Sequence, residues 1–116
     1  MAYSEPLAER IRERLATVPN VEERAMMGGI VYMVDGKMCI GIIKDEMMCR
    51  IAHELYEESL EKQGCHPMEF TGRAMPGYVL IDESGMKSEA DFNYWIGLAL
   101  AFNPFAKAAK KRKAKE

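Results

Sequence analysis

Residues 30–51 read IVYMVDGKMCIGIIKDEMMCRI, and the periodicity of this stretch decides the fold. Short runs rich in Val and Ile are cut at Asp35-Gly36 and Lys44-Asp45, the pattern of strands joined by tight turns. Asp-Gly suits a two-residue type I′ turn, because both central residues need positive φ. Such a turn pairs Val34 with Lys37, Tyr32 with Cys39 and Val31 with Ile40. A second turn at Lys44-Asp45 pairs Ile42 with Met47 and Ile40 with Cys49. Alternate residues of a strand point to opposite faces. One face then collects Val31, Met33, Met38, Ile40, Ile42, Met47, Cys49 and Ile51, and is expected to be the core. The other holds Ile30, Tyr32, Val34, Lys37, Cys39, Gly41, Ile43, Glu46, Met48 and Arg50, which is too apolar to be wholly wetted. A partner that covers Ile30, Tyr32, Val34, Ile43 and Met48 is expected, a second copy of the chain among the candidates.

Upstream, SEPLAERIRERLATVPN repeats Leu7, Ile11 and Leu15 every fourth residue, with Ser4 as cap and Pro6 in the first turn. That predicts an amphipathic helix ending near Val18-Pro19. Downstream, HELYEESLEKQG predicts a short acidic helix closed by Gly64. CHPMEFTGRAMPGYVLID is interrupted by Pro67, Gly72, Pro76 and Gly77, which predicts a loop with some extended structure and a strand only at Tyr78–Ile81. Ser88 and Asp91 form a capping pair ahead of Phe92, Trp95, Ile96, Ala99 and Leu100, one helical face that Tyr94 and Leu98 broaden. Asn103-Pro104 ends that helix. The fold class expected is α+β: an antiparallel β-meander packed by N-terminal and C-terminal helices, in one domain over residues 1–106. A basic, disordered tail is expected over 107–116.

The formal charge of −2 hides an asymmetry. Residues 1–106 hold 10 Lys/Arg against 17 Asp/Glu, whereas the last ten residues hold 6 Lys/Arg and 1 Glu. An acidic body is a poor match for a phosphate backbone. Nucleic-acid association is therefore left to the tail, through Lys110, Lys111, Arg112 and Lys113. Three cysteines without CxxC spacing and ten methionines fit a reducing cytoplasm. The N-terminal residues lack a leader's apolar region, and no run approaches a membrane span.

Motifs for chemistry are weak. RAMMGG, residues 24–29, matches neither GxxxxGK[ST] nor GxGxxG, and its glycines lead into a strand. A strand bend is the expected reading. Cys49, His53, Cys65 and His66 lack the paired short spacings of structural zinc, so no metal and no cofactor is expected. Cys39, cross-strand from Tyr32 and on the face of Lys37 and Arg50, is the candidate reactive thiol, against the more usual small buried cysteine. Arg73 and Tyr78 are the candidates for binding an anion.

RAMMGG is also similar to an Arg-x-Met-Phe-Gly-Gly signature, carried here by Arg24, Met26, Gly28 and Gly29, with Met27 in place of the Phe. With DGKM, MEFTGRAMPGYV and YWIGLALAFNP in the same order, the chain resembles the N-terminal domain of the TfoX/Sxy competence regulators over about residues 5–104. The resemblance implies an α+β domain that acts as a regulatory or protein-interaction module more than as an enzyme. It carries over no catalytic residues. Tyr32, Arg73, Tyr78 and the tail residues are the candidate interaction positions.

Overall fold

The computed structural model describes residues 4–26, 29–70 and 72–106. Helix α1 (Glu5–Arg14) is followed by four strands, β1 (Val21–Met26), β2 (Gly29–Val34), β3 (Lys37–Ile43) and β4 (Glu46–Arg50). A 3-10 turn and a single helical turn, α2 (Tyr56–Ser59), lead to the hairpin β5 (Cys65–Phe70) and β6 (Arg73–Ile81). Helix α3 (Glu89–Phe102) is the last helix among the described residues, prolonged by a 3-10 turn at Asn103–Phe105. The strands form one antiparallel sheet in the order β1-β2-β3-β4-β6-β5. An antiparallel sheet packed by an N-terminal and a C-terminal helix is the α+β architecture that the sequence implies.

Both turns of the meander form where the sequence puts them. Asp35 and Gly36 have φ of 54° and 76°, and Lys44 has φ of 60°. Val34 faces Lys37, Ile42 faces Met47 and Ile40 faces Cys49. The register changes between Met33 and Tyr32: Met33 faces Met38, but Tyr32 faces Ile40 and Val31 faces Gly41. Cys39 is thus the extra residue of a β-bulge, and the expected pairs Tyr32–Cys39 and Val31–Ile40 are each corrected by one residue.

That residue reassigns all of β2. Ile30, Tyr32 and Val34 join Cys39, Ile40, Ile42, Met47, Cys49, Ile51, Val79 and Ile81 in the core beneath the helices. Val31, Met33 and Met38, expected in that core, lie on the opposite face with Gly41 and Met48. The opposite face is nevertheless dry at its centre, since Val31, Met33 and Met48 are 3%, 2% and 1% exposed. Gly41 makes room for Met48 and Val31: a Cβ there would stand 3.2 Å from the Met48 methyl and 3.5 Å from Val31 Cγ2. The residues for which a covering partner was expected are buried within the chain, Ile43 being the half-buried exception.

The helices close the core as their caps predict. Ser4 Oγ accepts from Leu7 N at 3.3 Å, Ser88 Oγ accepts from Asp91 N at 3.0 Å, and Leu7, Ile11, Leu15, Phe92, Trp95, Ile96 and Ala99 are buried. Tyr94 departs from the expected stripe at 41% exposure, its ring lying 5.0 Å from Lys62 Nζ. Helix α1 stops at Arg14 and helix α2 is one turn long, both shorter than the sequence suggests. Arg10 joins the two long helices, its guanidinium 4.0 Å from the Phe92 ring centre and donating to Met86 O at 3.1 Å. At the far end of α3, Asn103 Nδ2 donates to Val34 O at 3.2 Å, and Lys37 Nζ donates to Asn103 O at 3.3 Å. A lysine at the terminal carbonyls of a helix satisfies acceptors that the helix leaves open.

The stretch expected to be mainly loop is a full hairpin. Pro67 cannot donate to a ladder, but β5 is an edge strand and can hold it. Pro76 falls where the ladder is broken: Pro67 faces Val79 and Glu69 faces Ala74, so β6 carries the excess residues there. Gly77, with φ of 91°, absorbs the distortion.

Candidate interaction surface

The singled-out residues do not converge. Tyr32 is fully buried, with its hydroxyl 3.5 Å from Ala8 O beneath α1, so it belongs to the core and not to a docking face. Arg73 is exposed at the hairpin tip opposite Phe70, whereas Tyr78 is half-buried where β6 meets β4. The Tyr78 ring faces a cation already, since Arg50 lies across the strand with its guanidinium 5.4 Å from the ring centre. Lys110, Lys111, Arg112 and Lys113 lie outside the described residues.

RAMMGG is the β1–β2 connection. Met26 faces Gly29, and Met27 and Gly28 between them lie outside the described residues. Gly29 has a steric reason to be glycine, because a Cβ there would overlap the Ile42 carbonyl oxygen. Arg24 stays local, its Nε 3.2 Å and its Nη2 3.4 Å from the Glu22 carboxylate, on the face away from the helices.

The cysteines are poor nucleophiles. All three are free and buried. Burial pushes the Cys39 thiol up to about 12, with Arg50 only partly opposing it. Burial likewise raises Cys65 to about 11 and holds Cys49 well above the usual thiol range. The thiolate is the reactive form, so Cys39 is a packed bulge residue at neutral pH.

Two features that the sequence reading passed over stand out. The first is an apolar groove of about 380 Å³ between α3 and the turn before α2, lined by Ala52, Leu55, Leu98, Ala101, Phe102 and Phe105, with Glu54 at its edge. Phe105 is 80% exposed at its lip. The available signal was a phenylalanine just beyond a helix-ending Asn-Pro, followed by no apolar run. The second is a group of three side chains from Glu46, His66 and Asp82, whose ligand-type atoms lie within 4.8 Å of one another. His66 meets carboxylates there, while Cys49 and Cys65 face the core. His53 packs elsewhere, against Gly77.

Among the described residues no helix is long and apolar enough to cross a membrane. No curated protein and no solved structure matches the chain. The TfoX N-terminal domain family matches residues 13–103, the span from the end of α1 to the end of α3. With the bulk of the sheet and α3 inside that match, the chain belongs to the TfoX N-terminal domain family.

Proposed function

We propose that the chain is a regulatory or protein-interaction module without catalytic activity, and that a protein segment docks in the groove at the C-terminal end of α3. Phe105 carries this reading. A large aromatic side chain that is 80% exposed beside Leu55, Leu98 and Phe102 forfeits burial that a partner would restore. Glu54 borders the groove, and Glu57, Glu58 and Glu61 are exposed on and after α2. An amphipathic helix with basic flanks has the complementary chemistry. The resemblance to competence regulators supports a regulatory role, and the buried, protonated thiols support the absence of covalent catalysis.

A photo-crosslinking residue placed at position 105 of the full chain tests the docking. The expected product in the source cell is one discrete protein adduct that Leu98→Asp abolishes without changing the circular dichroism. An adduct of twice the chain's mass assigns the groove to a second copy. Loss of the adduct on deletion of residues 107–116 moves the interface to the basic segment, in line with the alternative of tail-driven nucleic-acid association. Absence of any adduct at 105, with one formed at the remote exposed Glu69, defeats the groove reading.

A further inference from the structure

We propose that Glu46, His66 and Asp82 form a binding site for a divalent first-row transition-metal ion, with Zn²⁺ as the reference ion. The three residues are 20 and 16 positions apart in sequence, and the sheet order brings them together. Glu46 opens β4, His66 is the second residue of β5, and Asp82 follows the last residue of β6, which lies between the other two strands. Met47 faces Ile81 and His66 faces Leu80, so the alternation of each strand turns Glu46, His66 and Asp82 to the face away from the helices.

The donors are chemically suited to such an ion and are held in place. An imidazole nitrogen with two carboxylates is a hard-to-borderline set that favours Zn²⁺ and its neighbours over Mg²⁺, for which imidazole is a poor ligand. Asp82 divides its carboxylate: Oδ1 accepts from Ser84 N at 2.9 Å and from Ser84 Oγ at 2.6 Å, which leaves Oδ2 directed at His66 Nε2, 2.7 Å away. Hydrogen bonds of this outer kind orient metal-ligating carboxylates. The frame beneath is stiff, since Asp82 N donates to Gly64 O at 2.8 Å, and Gly64 and Gly85 approach so closely that neither admits a side chain.

An ion would replace the His66–Asp82 hydrogen bond. The neutral imidazole ligates through Nε2 with its proton on Nδ1, and the two atoms separate slightly, because neighbouring ligands about 2.0–2.1 Å from zinc stand about 3.3 Å apart. Three ligands from one sheet face leave a coordination position toward solvent, open to water or to a donor atom of a partner. His66 is half exposed, so the ion has a path in.

Calorimetric titration of the chelator-treated full chain with Zn²⁺ tests the proposal, with Mg²⁺ in a parallel run and Co²⁺ absorption as the spectroscopic arm. One Zn²⁺ per chain is expected, with a tetrahedral or five-coordinate Co²⁺ spectrum that lacks thiolate charge transfer, and Mg²⁺ binding at least about 100-fold weaker. His66→Ala, Asp82→Asn and Glu46→Gln should each weaken Zn²⁺ by at least about 10-fold. His53→Ala should leave affinity unchanged, and circular dichroism checks that each variant is folded. No heat with Zn²⁺ at 100-fold excess, or binding retained in the folded triple variant, overturns the site and leaves His66 and Asp82 as a hydrogen-bonded surface pair.

Discussion

The two faces of the sheet are built on different terms. The face under α1 and α3 is a continuous apolar cluster in which Tyr32, Ile40, Ile42, Met47, Cys49, Val79 and Ile81 have essentially no exposure, and the Tyr32 hydroxyl lies 3.5 Å from Ala8 O beneath α1. The opposite face has a dry strip of Val31, Met33 and Met48, with Val31 and Met48 close to Gly41, and its margins are polar: Arg24 with Glu22, Arg50 against Tyr78, and Glu46 with His66 and Asp82. Helices protect the first face. On the second, the Met48 methyl lies beside Gly41, a placement that suits a thioether side chain with several rotatable bonds. The bulk of the hydrophobic stabilisation therefore belongs to one face, and the chemistry-bearing side chains belong to the other.

A single inserted residue keeps the two faces apart, and paired deletions test this most severely. Without Met48, β4 has no bulge to absorb the loss, and either Arg50 or Glu46 must turn to the helix side. An unpaired charge in that core is among the costliest changes available, so this variant should not fold. Without Cys39 the pairs Met33–Met38 and Tyr32–Ile40 become consecutive and every later side chain keeps its face. That variant should fold, at a cost of about 1–3 kcal/mol for the lost buried thiol and twist. Urea unfolding distinguishes them, and equal damage from both deletions would refute the bulge as the phase-setting element.

The next largest effect compares neighbours on β3. Ile42 has no exposure and faces the helices, whereas Ile43 is half-buried on the opposite side. Ile42→Ala should cost about 2–5 kcal/mol by lost transfer and the cavity left behind. Ile43→Ala should cost about 1 kcal/mol or less, because much of its surface is already wet. If chemical denaturation gives the two similar costs, the helix-covered face does not dominate stability.

The same contrast explains what was legible in the sequence. The caps at Ser4 and Ser88, the Asp35-Gly36 and Lys44-Asp45 turns and the β3–β4 register are local signals, and each survives in the fold. The bulge was not legible, because Ile30 to Val34 are all buried and an unbroken apolar run carries no phase. Pro67 and Pro76 read as strand breakers, yet one sits on an edge strand and the other at a ladder irregularity, facts that only the sheet order supplies. Glu46, His66 and Asp82 were invisible for the same reason: β6 inserts between β4 and β5, so their proximity is a product of topology. The groove needed the end of α3 to be placed beside Leu55 before Phe105 could be read as more than a residue after a proline.

The smallest effect lies at the rim of the helix-covered face. Glu23 stands opposite Tyr32 on edge strand β1 and therefore points to the helix side, where Arg12 of α1 receives it through Nε at 2.7 Å and Nη2 at 3.1 Å. The same guanidinium reaches Glu9 through Nη1 at 3.1 Å, and the Glu23 hydrogen bond and charge raise its affinity for its proton. These side chains are solvent-exposed, so their attraction is screened and offset by the entropy of holding long side chains in one geometry. Their role is to close the edge where α1 overhangs β1, and the planar fork is what a lysine cannot reproduce. Arg12→Lys should lower the midpoint of thermal unfolding by no more than a few degrees at low salt, with the difference shrinking toward zero in 1 M NaCl. A loss as large as that of Ile42→Ala, or one indifferent to salt, would mean that the edge of the helix-covered face contributes as much as its centre.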